Sequence, residues 1–250
     1  MRRFYVPPDQ SRGDVFELPE REARHATQVL RLTDGDDLTV LNGAGDILTC
    51  TIAAAGKRTV RVAVKRREHH APLPCALTLI QAIPKGPAFE TIVQKATELG
   101  AARLIPLLSE RVVVDIRERD AAAKVEKWQQ IAIESIKQCG SPWLPVIEKP
   151  ATLIDLLDRR AEWKFSVVAS LQAGSKSLRD VVADFLRTQA APPKTAALWI
   201  GPEGDFTVAE YLAIATAGAV PITLGPLILR ADTAAIATLA LANHELQPRL

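Results

Sequence analysis

The chain has 250 residues, 48% of them hydrophobic and 24% charged, which is enough apolar material for one large core or two modest ones. A formal net charge of only +2 excludes a strongly basic tail. Three scattered cysteines without a CxxC pair signal neither a zinc site nor a disulfide framework, and no apolar run approaches the roughly 20 residues of a membrane span.

Residues 1 to about 70 read as β. Val15-Phe-Glu-Leu, Asp37-Leu-Thr-Val-Leu, Asp46-Ile-Leu-Thr-Cys-Thr-Ile and Thr59-Val-Arg-Val-Ala-Val are short runs, several of them alternating apolar and polar residues. Asp34-Gly, Asn42-Gly and Ala55-Gly-Lys separate them as turns, and the set predicts a small barrel. One helical piece, about Glu20 to Leu30, interrupts it. The charged, then proline-bearing stretch from Lys65 to Pro74 reads as the domain boundary, either a solvated linker or a phosphate-contacting run.

From Cys75 the period changes to alternating strands and helices, which predicts a mostly parallel sheet. Strands are expected at Leu77-Thr-Leu-Ile-Gln-Ala, Leu104-Ile-Pro-Leu-Leu, Phe165 to Leu171, Ala196 to Ile200 and Val220 to Leu224. Helical spacing marks Phe89 to Leu99, stopped by Gly100, and Val125 to Cys139, stopped by Gly140. A short helix follows Thr152, Ser177-Leu-Arg-Asp180 and Thr207-Val-Ala-Glu210 read as capping boxes, and an Ala-rich helix spans about Asp232 to Leu246. The odd cysteine count and an amino terminus without a signal-peptide core lead to the expectation of a cytoplasmic protein.

The sequence holds no GxxxxGK[ST] loop, no GxGxxG after a strand, no GxSxG elbow and no HExxH, and its four histidines have no metal-like partners, so no metal is expected. Two stretches stand out: Leu198-Trp-Ile-Gly-Pro-Glu-Gly-Asp-Phe-Thr207 and Leu224-Gly-Pro-Leu-Ile-Leu-Arg230. Each is a buried-strand pattern ending in Gly-Pro before a helix, which would place two stiff turns side by side at the carboxyl ends of parallel strands, where open α/β sheets bind ligands. Lined by Ile200, Leu224, Ile228 and Leu229, they suit a flat heteroaromatic ring such as adenine, or else form two packed connecting loops.

These residues carry a family resemblance. Gly201-Pro-Glu-Gly-Asp-Phe-Thr-Val-Ala-Glu210 with Leu224-Gly-Pro-Leu-Ile-Leu-Arg-Ala-Asp-Thr-Ala234 resembles the RsmE family, ribosomal RNA uridine-N3 methyltransferases of the SPOUT superfamily. Arg2-Arg-Phe-Tyr-Val, His25 with Val29-Leu-Arg31, Gln81-Ala-Ile-Pro-Lys-Gly86, Gln94-Lys-Ala-Thr-Glu-Leu-Gly100, Ser109-Glu-Arg111 and Glu134 with Gln138-Cys-Gly140 are similar to that family as well.

The resemblance implies a PUA-like β-barrel RNA-binding domain over residues 1–70 and, over 75–250, a SPOUT α/β methyltransferase domain with a carboxyl-terminal trefoil knot. It implies a homodimer that uses S-adenosylmethionine to methylate N3 of a uridine, uridine 1498, in the 16S RNA of the small ribosomal subunit. The open alternatives are a SPOUT enzyme acting on another RNA such as transfer RNA, and an RNA-binding assembly factor whose donor site has decayed. Carried onto this chain, the donor would touch Leu171, Ile200, Gly201, Glu203, Gly204, Leu224, Gly225, Ile228 and Leu229. Arg230 would stabilise developing oxyanion charge, Asp232 or Glu203 would accept the proton, and Arg2, Arg3, Arg31 and Lys85 would touch RNA phosphates. Outside catalysis, Arg230 would form a salt bridge, Asp232 would be a helix N-cap and Glu203 would bind backbone N–H groups of its own loop. The chain departs from the family pattern at Asp205, usually Gly; Leu227 and Ser141, usually Arg; and Asp232, usually Glu.

Overall fold

The structure, a computed structural model, describes residues 2–56, 58–111, 118–189 and 191–248, with side chains for all of these but 118–120. Lys57, in one of the sequence's turn signals, lies outside the described residues. The chain divides into two units, Met1–Pro72 with Ile133–Leu144, and Leu73–Ala132 with Pro145–Leu250.

In the first unit, β1 (Arg3–Tyr5), β2 (Val15–Glu17), β3 (Asp37–Leu41), β4 (Asp46–Ala55) and β5 (Val60–His69) form one sheet in the order β1-β3-β4-β5-β2. The period-2 pattern turns Leu48, Cys50 and Ile52 of β4 and Val60 and Val62 of β5 inward onto Phe4, Leu38 and Val40. Asn42 fixes the β3–β4 turn, its Oδ1 accepting from the Ala44 and Asp46 N–H groups at 2.8 and 2.9 Å. Gly45 (φ 102°) is required there, because a Cβ would lie 2.7 Å from both His69 and Trp143.

Two expectations change in this unit. Lys65 to His69 is not a linker: it is the second half of β5, with Arg66 to His69 paired to Asp46 to Thr49 on β4 and Lys65 at a register shift. Its charges are committed within the sheet, Lys65 to Asp37 at 2.7 Å and Arg67 to the Ser11 carbonyl at 2.8 Å. The expected helix from Glu20 is two pieces, α1 (Glu20–Arg24) and a π-helical turn over His25–Val29. There the Leu30 N–H reaches five residues back to the His25 carbonyl at 3.0 Å, and Arg31 ends the turn at φ 54°.

The second unit is built on seven parallel strands: β6 (Ala76–Ala82), β7 (Arg103–Leu108), β8 (Val146–Ile147), β9 (Ala151–Thr152), β10 (Phe165–Ala169), β11 (Thr195–Ile200) and β12 (Val220–Ile222). Their order is β12-β10-β11-β6-β7-β8, with β9 also on β7. The central strands read as mostly apolar runs, with buried Thr78 and Gln81 in β6, because both faces are covered. The helices are α2 (Ala88–Glu98), α3 (Glu118–Cys139), whose residues from Ile133 onward belong to the first unit, α4 (Leu153–Asp158), α5 (Leu178–Thr188), α6 (Val208–Thr216) and α7 (Ala231–Leu246). Helix α7 lies against β6, β11, α2 and α5, and α4 meets α6. Trp163 and Trp199 anchor a core cluster with Ile80, Ile105 and Ile214; their indole N–H groups donate to Thr78 and Ser166, so the rings are buried without an orphaned donor.

The expected capping boxes differ in detail. At α6 both arms form, Thr207 with Glu210; at α5 the Ser177 hydroxyl accepts from the Asp180 N–H, but its own hydroxyl holds the Asp180 carboxylate. None of the described helices is long and apolar enough to cross a membrane.

The cysteines give a direct check on this packing. Cys50 and Cys75 are buried, and burial pushes each thiol up to about 11, whereas Cys139 is exposed. Since the thiolate is the nucleophile, a disulfide reagent at neutral pH is expected to titrate one thiol, Cys139, in the native protein and all three after unfolding.

Candidate active site

The carboxyl ends of β10, β11 and β12 open into one cavity of about 340 Å³. Its walls come from three loops, Ala169–Gln172 after β10, Ile200–Asp205 after β11 and Thr223–Leu229 after β12, with Ala231 and Ala234 of α7 behind them. The two Gly-Pro turns therefore converge as the spacing predicted, and they are not packed against each other as connecting loops.

Local chemistry shapes both turns. Gly201 is crowded: a Cβ would lie 3.0 Å from the Asp205 carboxylate and 3.2 Å from the Phe206 nitrogen, and the turn would have to give. Gly225 sits at φ 116°, a conformation open to glycine alone, and Thr223 Oγ1 pins it by accepting its N–H at 3.2 Å. The β11 turn is braced from outside. Glu203 Oε1 accepts the Lys85 N–H at 2.9 Å, Arg111 donates to the Gly204 carbonyl, and buried Gln81 Nε2 lies 3.4 Å from the Gly201 carbonyl. Glu210, itself buried, accepts the Glu110 N–H at 2.8 Å and ties the loop after β7 to α6. The rim is apolar and open, with Leu171 60%, Leu227 73% and Ile228 82% exposed.

Of the residues expected around a donor, Leu171, Ile200, Gly201, Glu203, Leu224, Gly225, Ile228 and Leu229 line the cavity. Gly204 does not; its carbonyl faces Arg111. Arg230 and Asp232 are not in the wall either, although their neighbours Leu229 and Ala231 are. Arg230, exposed, occupies the N-cap position of α7 without a side-chain cap bond, so the N-cap reading of Asp232 does not hold. Asp232 lies inside the first turn, where its carboxylate accepts the Thr233 N–H at 2.9 Å. Glu203 does hold a backbone N–H, but on the loop after β6 and not on its own. Sequence reasoning missed Ser170, Gln172 and Thr223, whose only signal was proximity to the expected strand ends. Among the described residues no group of His, Cys, Asp and Glu could hold a metal ion.

The four expected phosphate contacts divide. In the first unit Arg2 pairs with Asp36 at 2.8 Å, and Arg3 donates to the Lys137 and Gln138 carbonyls at 3.3 and 2.9 Å, capping the end of α3. Gly140, at φ 84°, leaves room for that guanidinium, since a Cβ would come within 2.7 Å of it. Ser141 continues this turn, bonding both backbone groups of Trp143. Arg31 is exposed, and so is Lys85 in the second unit. Arg3→Ala is therefore expected to cost about 1–2 kcal/mol of stability by orphaning helix-end carbonyls, measured by urea unfolding. An unchanged midpoint would return Arg3 to the set of free RNA-facing cations.

Residues 71–243 match the RNA methyltransferase domain family, and residues 18–65 match the RNA methyltransferase PUA domain. The Synechocystis ribosomal RNA small subunit methyltransferase E is 31% identical over 98% of this chain and 78% of its own. The chain belongs to this RNA methyltransferase family. Its first unit is accordingly PUA-like and its second a SPOUT-type α/β domain. A putative methyltransferase from Legionella pneumophila, solved with its bound cofactor SAM, is 33% identical, covers 97% of this chain and 96% of its own, and superposes with a TM-score of 0.86. The family's enzyme from Neisseria gonorrhoeae, solved bound to S-adenosylmethionine, is 28% identical over 98% and 97% of the two chains, with a TM-score of 0.83.

Proposed function

We propose that the chain transfers a methyl group from S-adenosylmethionine to N3 of a single uridine, uridine 1498, in the 16S RNA of the small ribosomal subunit. The observation that carries this reading is the convergence of two glycine turns on one cavity at three parallel strand ends. A cavity of about 340 Å³ with aliphatic walls and backbone edges fits an adenosine-bearing ligand, being within the usual few-hundred-Å³ range for small-molecule sites. Ile200, Leu224 and Leu229 would hold the purine faces, and Gly201 and Gly225 would bring backbone donors and acceptors to its edge. The trefoil knot implied by the family resemblance belongs to this reading, with α7 running back against β6 and β11.

When bound, the donor supplies an activated methyl on a sulfonium. The chain's own residues do the rest. Uridine N3 lies between two carbonyls, so its anion spreads charge onto both oxygens. Arg230, exposed beside the cavity wall at the start of α7, would meet that charge. Glu203, in the wall, and Asp232, in the first turn of α7, are the carboxylates available to take the N3 proton directly or through water. Alignment of N3 with the methyl contributes several kcal/mol of the rate.

The PUA-like unit would hold RNA, with Arg31 its exposed basic contact, and Lys85 would add a contact on the methyltransferase unit. The exposed Leu171, Leu227 and Ile228 at the rim suit a homodimer in which a second copy completes the site. Cytoplasmic location goes with the substrate. Mass mapping of small-subunit RNA from strains with and without the gene tests the function: one uridine should lose one methyl group on deletion. An unchanged RNA would remove this substrate.

A further inference from the structure

Among the described residues the cavity wall carries two carboxylates, Glu203 and Asp205, and no Lys, Arg or His. Asp205 is the unexpected one. It sits at φ 58°, where a residue with a Cβ is strained relative to glycine, yet the chain keeps a carboxylate there. The Asp205 N–H donates to the Pro202 carbonyl at 2.9 Å, and its Oδ1 accepts the Phe206 N–H at 2.8 Å, which locks the side chain across the turn beside Gly201. Its Oδ2 makes no hydrogen bond among the described residues. Arg111 is directed at the Gly204 carbonyl on the outside of the turn, and Lys176 is paired with Asp184 at 2.7 Å.

We propose that Asp205 makes the cavity discriminate by charge, favouring the sulfonium donor over its spent thioether product. The inference rests on the reading of this cavity as the donor site. Transfer breaks the S–CH3 bond and leaves its electron pair on sulfur, forms the N3–C bond and releases the N3 proton to the accepting carboxylate, directly or through water. The ligand therefore loses one positive charge while keeping its adenine, ribose and amino-acid groups. A fixed negative wall senses that difference, so it raises affinity for the donor while leaving affinity for the product nearly unchanged. At a partly exposed carboxylate the effect is moderate, about three- to tenfold in affinity.

The test is calorimetric titration of the full chain with S-adenosylmethionine and, separately, S-adenosylhomocysteine. Asp205→Asn keeps the shape and the bond to the Phe206 N–H. It should weaken the donor about three- to tenfold, change the product less than twofold, and leave a donor preference that falls less steeply with added salt. Asp205→Gly relieves the backbone and should show the same selective loss, which guards against a folding artefact. Equal weakening of both ligands would mean that Asp205 holds a shared group such as a ribose hydroxyl, and the inference fails. Unchanged affinities overturn it too. Wild-type protein that binds neither ligand would instead overturn the donor-site reading itself.

Discussion

Arg230→Ala is expected to lower turnover about a hundred- to a thousandfold, the range for losing one preorganised group that meets developing oxyanion charge. Donor affinity should stay within about twofold, because Arg230 is not in the cavity wall. Stability should move by less than about 0.5 kcal/mol, since the side chain is exposed and makes no cap bond to α7. The three readouts separate the roles. Lost turnover with intact binding and melting places Arg230 at the reacting atoms. Near-normal turnover removes it from the mechanism, and lost stability would mark it as a structural ion-pair partner.

Gly225→Val should produce the opposite pattern, loss of donor binding first. No atom lies within 4 Å of the new Cβ, so the cost is not a clash with neighbours. It is the backbone: at φ 116° a β-branched residue carries strain of about 1–3 kcal/mol. The turn relieves that strain by rotating, which breaks its hold on Thr223 Oγ1 and reshapes the cavity wall. If the strain must be reimposed on binding, donor affinity falls about ten- to a hundredfold, at about 1.4 kcal/mol per decade. Titration calorimetry reads the affinity and urea unfolding the stability. Wild-type affinity in the variant would show that this turn does not shape the site.

Much of this arrangement was legible in the sequence because it is local. Alternation wrote β3, β4 and the start of β5; mostly apolar runs wrote β6, β7 and β11; Thr207 with Glu210 announced α6. The paired turns could be placed at one site because parallel strand ends lie on one edge of a sheet. What escaped depends on partners distant in sequence. Arg3 looks like a free terminal cation until the end of α3, 134 residues away, comes to it. Lys65 to His69 looks like a linker until Asp46 to Thr49 pair with Arg66 to His69. The π-helical turn at His25–Val29 has the composition of an ordinary helix and differs only in which carbonyl Leu30 finds. Two-residue strands such as β8 and β9 have no period to read. Glu203 has the residue type of a proton acceptor, but its tie to the Lys85 N–H depends on how two loops meet.

The most direct trial of the whole account is a reconstituted transfer. Purified protein is incubated with methyl-labelled S-adenosylmethionine and small ribosomal subunits from cells lacking the gene, and the RNA is digested to nucleosides. Label is predicted in 3-methyluridine alone, at about one methyl group per subunit, and strongly reduced by Gly225→Val at limiting donor. Label in another nucleoside, or none from a protein that binds the donor, would contradict it.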